Sequence, residues 1–322
     1  MNKKLKKNTV KISDIGVLLL GYNRPEMLHR RVIELANNKL CNLYISIDGG
    51  IDSHTPEMEA TKSFARQVFR KIEKFTLNHH KKNLGMVKHI TQEISKVLIN
   101  HEYIIVIEDD IVITQNFVEN MVEGINLQNN LGSFGIISGW SPLYAKIPYN
   151  KWRVVSGPSI WGWACSRKTW AGYTHDLSKI NLEQELKSHS KWNKLSKDTK
   201  QKKLREFNKA QLDPLYTWDI QFSFLLLKKD TVSLSPVFSI TGNEGFNDSR
   251  ATHTKGEKPR ILDNKKINEV RFHKLTKFSK LIDILDKLYR DETKLIKRRH
   301  LSNLVSRNSL EQNFKKQPQQ YS

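Results

Sequence analysis

The chain's 322 residues suffice for one large α/β domain with additions or for two modest domains, and a 38% apolar share with seven Trp supports a packed core. Lys and Arg outnumber Asp and Glu by 54 to 33, a formal charge of +21. That favours an anionic partner (nucleic acid, an anionic membrane or a phosphorylated substrate) unless it is only a solvated basic surface. Two isolated cysteines, Cys41 and Cys165, exclude a disulfide framework and a tetrahedral sulfur site, and no apolar run reaches signal-core or spanning length, so the expected setting is cytoplasmic.

After a basic tail over 1–14, residues 16–20 read as a buried strand. Tyr22-Asn23-Arg24-Pro25 follows, with Pro25 suited to a first helical turn and Asn23 to its cap, and the helix is expected to run to about Asn38. Residues 43–47 are a second strand, ended by the turn signal Asp48-Gly49-Gly50. A helix over about 56–72, a strand over 75–77 and a helix from Gly85 to about Asn100 come next. Residues 103–107, apolar on both faces, are the clearest strand and stop at Glu108-Asp109-Asp110. A helix over 115–128 and a strand over 135–138 complete this half. Alternating buried strands and helices predict a mostly parallel sheet covered on both sides, with ligands at the carboxyl ends of its strands. Arg24, Asp48 and the acidic triplet all fall on that edge.

Beyond about Asn150 the pattern changes. Residues 152–173 are aromatic and irregular, 182–210 form a charged helical insert, 218–229 a short helix and 231–234 a strand. Leu281, Ile284, Leu285, Leu288, Leu295 and Ile296 recur at helical spacing in a basic tail over 259–322.

Adjacent carboxylates at a buried strand end are costly unless a cation or water offsets them. Hard cations such as Mg2+ and Mn2+ take oxygen ligands from one or two carboxylates and from substrate phosphates. The triplet suits that role, and equally suits a solvated acidic turn that caps the next helix.

Tyr22-Asn23-Arg24-Pro25, Ile45-Ser46-Ile47-Asp48-Gly49-Gly50 and Ile105-Val106-Ile107-Glu108-Asp109-Asp110 together resemble, in order and spacing, the nucleotide-binding half of GT-A fold glycosyltransferases, above all the family of N-acetylglucosaminyltransferase I and its bacterial relatives. The resemblance implies an α/β GT-A-like single domain over 15–258, with a nucleotide-sugar half (15–150) and an acceptor half (151–258), followed by the basic helical extension. It implies Asp110 on a divalent cation, Mn2+ or Mg2+, that bridges the diphosphate, with Glu108 beside it. Asp109 would face the ribose or sugar, Asp48 the base (uracil in this family) and Arg24 the diphosphate. A basic residue near Lys88-His89 would point at the donor, with Lys88 the choice here and Lys81 and Lys82 as alternatives.

Gly157-Pro158-Ser159-Ile160-Trp161-Gly162-Trp163-Ala164 resembles the family's acceptor side, although it also reads as a core plug under a loop. Asp219, at the start of a helix, is the candidate general base of an inverting transfer; Asp213 and Glu244 compete for the role. The Gly-rich loop 241–248 with His253 looks like a late loop of bacterial GT-A enzymes, with His253 on the metal or diphosphate. The expected partners are a nucleotide-sugar donor, a glycan or lipid-linked acceptor and, through the basic tail, an anionic membrane at the inner leaflet. P-loop and GxGxxG signatures are missing, which argues against an ordinary kinase or dehydrogenase. The rival reading is a basic α/β protein that binds nucleic acid or a membrane surface without catalysis. The basic and aromatic residues do not interleave as in a nucleic-acid module, so nucleic acid is disfavoured.

Overall fold

The computed structural model describes residues 9–131, 135–141, 152–155, 159–231 and 233–250. The chain divides into two units, 1–276 and 277–322, and every described residue lies in the first. The basic tail over 259–322, its helical pattern, the 258 boundary, Gly157, Pro158 and His253 lie outside the described residues.

The first half follows its hydrophobic pattern. β1 (Ile15–Gly21) is buried along its whole length and leads into α1 (Pro25–Ala36). β2 (Asn42–Ile47), α2 (Pro56–Val68), β3 (Lys74–His79), α3 (Met86–Asn100) and β4 (Tyr103–Glu108) follow. Thr55 caps α2, its hydroxyl accepting from the Met58 N–H. At α1 the N-cap is Arg24, not Asn23, and no side chain caps that end. After β4 come β5 (Ile111–Ile113), α4 (Phe117–Leu131) and β6 (Ile137–Ser138).

The second half adds β7 (Trp152–Val155), β8 (Trp163–Ser166) and α5 (Arg167–Trp170). An insert of α6 (Leu182–Lys187), α7 (Ser190–Asn193) and α8 (Lys197–Leu212) precedes α9 (Asp219–Lys228), β9 (Ser233–Pro236) and β10 (Thr241–Asn243). The segment expected to be irregular, 152–173, thus holds two strands and a helical turn. β8 is buried at every position and pairs antiparallel with both β4 and β6, so long-range ladders rather than local alternation define it.

The main sheet has eight strands in the order β3-β2-β1-β4-β8-β6-β9-β7, and the pairings set β7 and β8 against the other six. β5 and β10 make a separate two-stranded ribbon. Alternation along β1 and β4 splits the core. Val17, Leu19, Ile105 and Ile107 pack with α1, α2 and α4, while Leu18, Leu20, Ile104 and Val106 pack with α3 and α9. The outcome is a mixed α/β unit with helices on both faces of a large sheet. A third cluster seats the insert on the other side of α9 through Leu182, Leu186, Trp192, Phe207, Phe224 and Leu227.

At the carboxyl end of β3, His79 stacks on His54 with centroids 3.8 Å apart and planes at 16°, near Glu59. Near-parallel ring planes do not aim their in-plane lone pairs at one point. Lys62 already supplies a cation, at 2.6 Å from Glu59 and 3.2 Å from His79 Nδ1. Burial pushes His79 down to about 4, and burial likewise pushes His89, inside α3, to about 4. Folding therefore favours the neutral imidazoles. Their contribution is complete above the ordinary His value of 6.5 and is lost as pH falls from there towards 4. In thermal melts between pH 7 and 4, His79→Gln and His89→Gln are each expected to lose less Tm than the wild-type chain as pH falls; an equal slope in those variants would contradict this assignment.

Candidate functional site

Strand register builds the site. Leu20 of β1 sits opposite Ser46 of β2 and Glu108 of β4, so the three strands end level. Their continuations, Tyr22-Asn23-Arg24, Asp48 and Asp109-Asp110, therefore rim one cavity of about 570 Å3. The second half closes it with Ile160, Trp161, Thr217, Trp218, Asp219, Asn243, Phe246 and Arg250.

Arg24 joins the acids. Its guanidinium donates to Asp109 and, at 3.2 Å, to Asp110 Oδ2. Asp109 is only 2% exposed, and its Oδ2 is buried without a hydrogen-bond partner. Burial, then the Asp110 and Asp109 charges, pushes Glu108 up to about 8; burial also raises Asp109, to about 6, and Asp110. Opposing these shifts, Arg24 holds Asp109 and Asp110 down. Three carboxylates at one strand end thus share a single guanidinium, and their charge exceeds what it offsets.

The loop after β10 covers the acids. Asn243 pairs with Ile111, and the Glu244 N–H donates to the Asp110 carbonyl at 2.9 Å. Gly245 then crosses the Asp110 side chain so closely that a Cβ would lie 2.5 Å from Oδ2. Glu244 meets Arg30 at 3.0 Å and the buried Arg31 at 3.2 Å; Arg31 also holds Glu34, which accepts from the Ile113 N–H. α1 is thereby tied to both strands of the ribbon that carries Asp110. Glu244, a competitor for the base, is spent in this network.

Oxygen donors dominate this corner, one carboxylate oxygen has no protein partner, and a close backbone leaves Asp110 room only beside a glycine. That donor set fits a hard divalent cation with Asp110 and Asp109 as ligands. Glu108 lies on the same face of β4 as Val106, towards α3 and α9, and its pKa is raised further by the charge of Asp219. Asp219 is the first residue of α9 and accepts a hydrogen bond from the Thr217 hydroxyl.

Asp48 lines the cavity, yet its carboxylate accepts from the backbone N–H groups of Gly49 (2.8 Å), Leu84 (2.8 Å) and Gly85 (3.1 Å). It pins the loop that launches α3. A Cβ on Gly49 would lie 2.5 Å from the His80 carbonyl oxygen and the Lys82 backbone, so only glycine fits there. Lys88 is exposed and stands away from the cavity, whereas His89 lines it and bonds Ser46 at 2.9 Å. The choice within that pair turns on helical phase: Met86, His89 and Ile90 face inward and Lys88 outward. Lys81 and Lys82 are exposed and absent from the lining, and Asp213 is exposed at the C-cap of α8.

Sequence reasoning missed Arg250 and Phe246. Arg250 pairs with Asp248 and Glu26 and donates to the Asn23 carbonyl at 3.0 Å. Its partners in the first turn of α1 are more than 220 residues away, and only the neighbouring Asp248 hinted at a role. The Phe246 ring meets Trp161 edge-on at 5.6 Å, and Trp161 meets Trp140 at 5.0 Å. That gives the acceptor-side expectation for Trp161 a position on the cavity wall.

No family model matches the chain, and no curated protein does. Among solved structures it is similar to a mannosyltransferase from Pyrobaculum calidifontis in complex with GDP-Man and Mn2+, at 11% identity and TM-score 0.40, over 66% of this chain and 69% of that one. It is also similar to a protein from Bacillus anthracis assigned as a glucose-1-phosphate thymidylyltransferase, in complex with a sucrose, at 10% identity and TM-score 0.31, over 49% of this chain and 73% of that one. At those TM-scores the overlap assigns no role to any residue here; the α/β class is read from the sheet itself.

Asp48→Ala would leave backbone donors near α3 without their acceptor. It is expected to destabilise the fold by about 2–4 kcal/mol and to speed amide exchange at Leu84 and Gly85. Unchanged exchange at both amides would refute the pinning role.

Proposed function

We propose that the chain is a metal-dependent glycosyltransferase of GT-A type that takes a sugar from a nucleotide-diphosphate donor. The observation that carries the reading is the convergence of Glu108, Asp109, Asp110 and Asp219 with Arg24 in one cavity at the carboxyl ends of parallel strands. A cavity of that size suits a nucleotide sugar better than a macromolecule. The charge pattern, acids held by Arg24 with Arg250 on the same cavity wall, suits a diphosphate brought in with its cation.

Held by Asp110 and Asp109, a divalent cation (Mn2+ or Mg2+) would neutralise the charge that develops on the leaving diphosphate. Arg24 balances the same acids when no donor is bound and keeps further N–H donors for phosphate oxygens. Asp219 takes the proton from an acceptor hydroxyl as that oxygen attacks the anomeric carbon, in a single displacement with inversion. The Thr217 hydroxyl fixes the carboxylate by donating to Oδ1, which leaves Oδ2 for the acceptor. Trp161 and Phe246 offer ring faces and edges for an acceptor sugar. Asp48 acts first through the 83–85 loop, and its uracil-binding role rests on the resemblance to the N-acetylglucosaminyltransferase I family, as does UDP as the nucleotide.

The proposed acceptor is a glycan or a lipid-linked saccharide. The proposed setting is the cytoplasmic side of the membrane; no helix among the described residues is long and apolar enough to cross one. His253, which lies outside the described residues, is proposed on the resemblance alone to meet the metal or the diphosphate.

A panel of UDP-, GDP- and CMP-sugars with Mn2+ is expected to raise Tm for UDP-sugars, and Asp110→Ala to abolish the rise. A metal-dependent shift that survives Asp110→Ala would remove the central assignment. With donor and acceptor in hand, Asp219→Asn is expected to lower kcat by about 10²–10⁴-fold with donor affinity nearly unchanged. Full turnover in that variant would show that the base is another group.

A further inference from the structure

Within five residues of chain, Leu212 is 88% exposed, and Leu215 (54%) and the Tyr216 ring (48%) are half exposed beside it. A single exposed leucine needs no explanation, but a group at one helix end does. Leu212 ends α8, and the exposed Lys202, Arg205 and Lys209 precede it at spacings of three and four residues, along one face of that helix. A basic stripe therefore runs straight into an apolar tip. The stripe is held outward, because Phe207 and Ala210 on the opposite face are buried against α9. Two acids border it: Glu206 pairs with Lys202 at 3.8 Å, and the exposed Asp213 accepts from the Leu215 N–H at 3.2 Å, so Arg205 and Lys209 carry the stripe's unpaired positive charge.

Over 182–212 the insert carries nine Lys and Arg against four Asp and Glu. Two copies of such a face would repel each other. Nucleic acid would use the stripe and leave the leucines without a role. An anionic bilayer uses both: headgroup phosphates meet Lys202, Arg205 and Lys209, and the apolar tip enters the boundary of the acyl region. We propose that the α8 stripe and the 212–216 tip form a docking surface for an anionic lipid bilayer. The tip continues directly into Thr217, Trp218 and Asp219 on the cavity wall, so a membrane held there lies beside the acceptor side of the cavity. The inference goes beyond the proposed transfer and stands or falls separately, since its test needs no donor, metal or turnover.

The test is co-sedimentation of the full-length chain with phosphatidylglycerol-containing vesicles and with pure phosphatidylcholine vesicles. Binding is expected to the anionic vesicles only and to weaken with salt. The triple change Leu212→Ser, Leu215→Ser, Tyr216→Ser is expected to lower partition at least tenfold. Lys202→Ser, Arg205→Ser, Lys209→Ser is a second, wholly exposed set that should lower it at least threefold with the circular dichroism spectrum unchanged. No binding to anionic vesicles overturns the proposal. So does binding that both triple variants retain, which would place the contact elsewhere on the chain. Loss of self-association in the apolar variant, with vesicle binding unchanged, would assign the tip to a second copy and also overturn it.

Discussion

Glu108, Asp109 and Asp110 end a strand whose two faces are both buried, and negative charge there is costly unless a cation meets it. Arg24 meets part of that charge. The remainder shows in the raised pKa values of all three acids and in the partnerless Oδ2 of Asp109. The surrounding structure keeps this imbalance rather than relieving it: the β5–β10 ribbon is braced through Glu244, Arg31 and Glu34, and Gly245 packs on Asp110. In the proposed function, excess carboxylate held in place preorganises the site for a cation that arrives with the donor.

The fold contributes direction. Parallel strands with level ends bring three sequence-distant turns to one rim, and the antiparallel β8 then lets the chain return so that α9 points its N-terminus at the same cavity. Asp219 thereby faces Glu108 across the space where reacting groups would meet.

Much of this was legible in the residues. β1, β2 and β4 announced themselves as apolar runs, and each stopped at a polar turn, so Arg24, Asp48 and the triplet could be assigned to one edge before any coordinates. What stayed hidden depended on distant partners. β8 exists through ladders to β4 and β6, and β5 and β10 exist through each other. The same holds for side chains: Arg250 meets Glu26 across the whole described domain, and Glu244 looked like a free acid until Arg30 and Arg31 claimed it. Asp48 was found by its turn, yet its backbone acceptor role needed the 83–85 loop in place. Lys88 was the choice for a basic residue near the donor, but helical phase turns it outward and puts His89 on the cavity wall.

The most direct test of the acids' purpose is phosphorus NMR of UDP with substoichiometric Mn2+ and the protein. A cation held by Asp110 against the diphosphate predicts strong broadening of both phosphate resonances beyond that caused by Mn2+ and UDP alone, and loss of the excess in Asp110→Asn. Equal broadening in the wild-type chain and in Asp110→Asn would contradict the account.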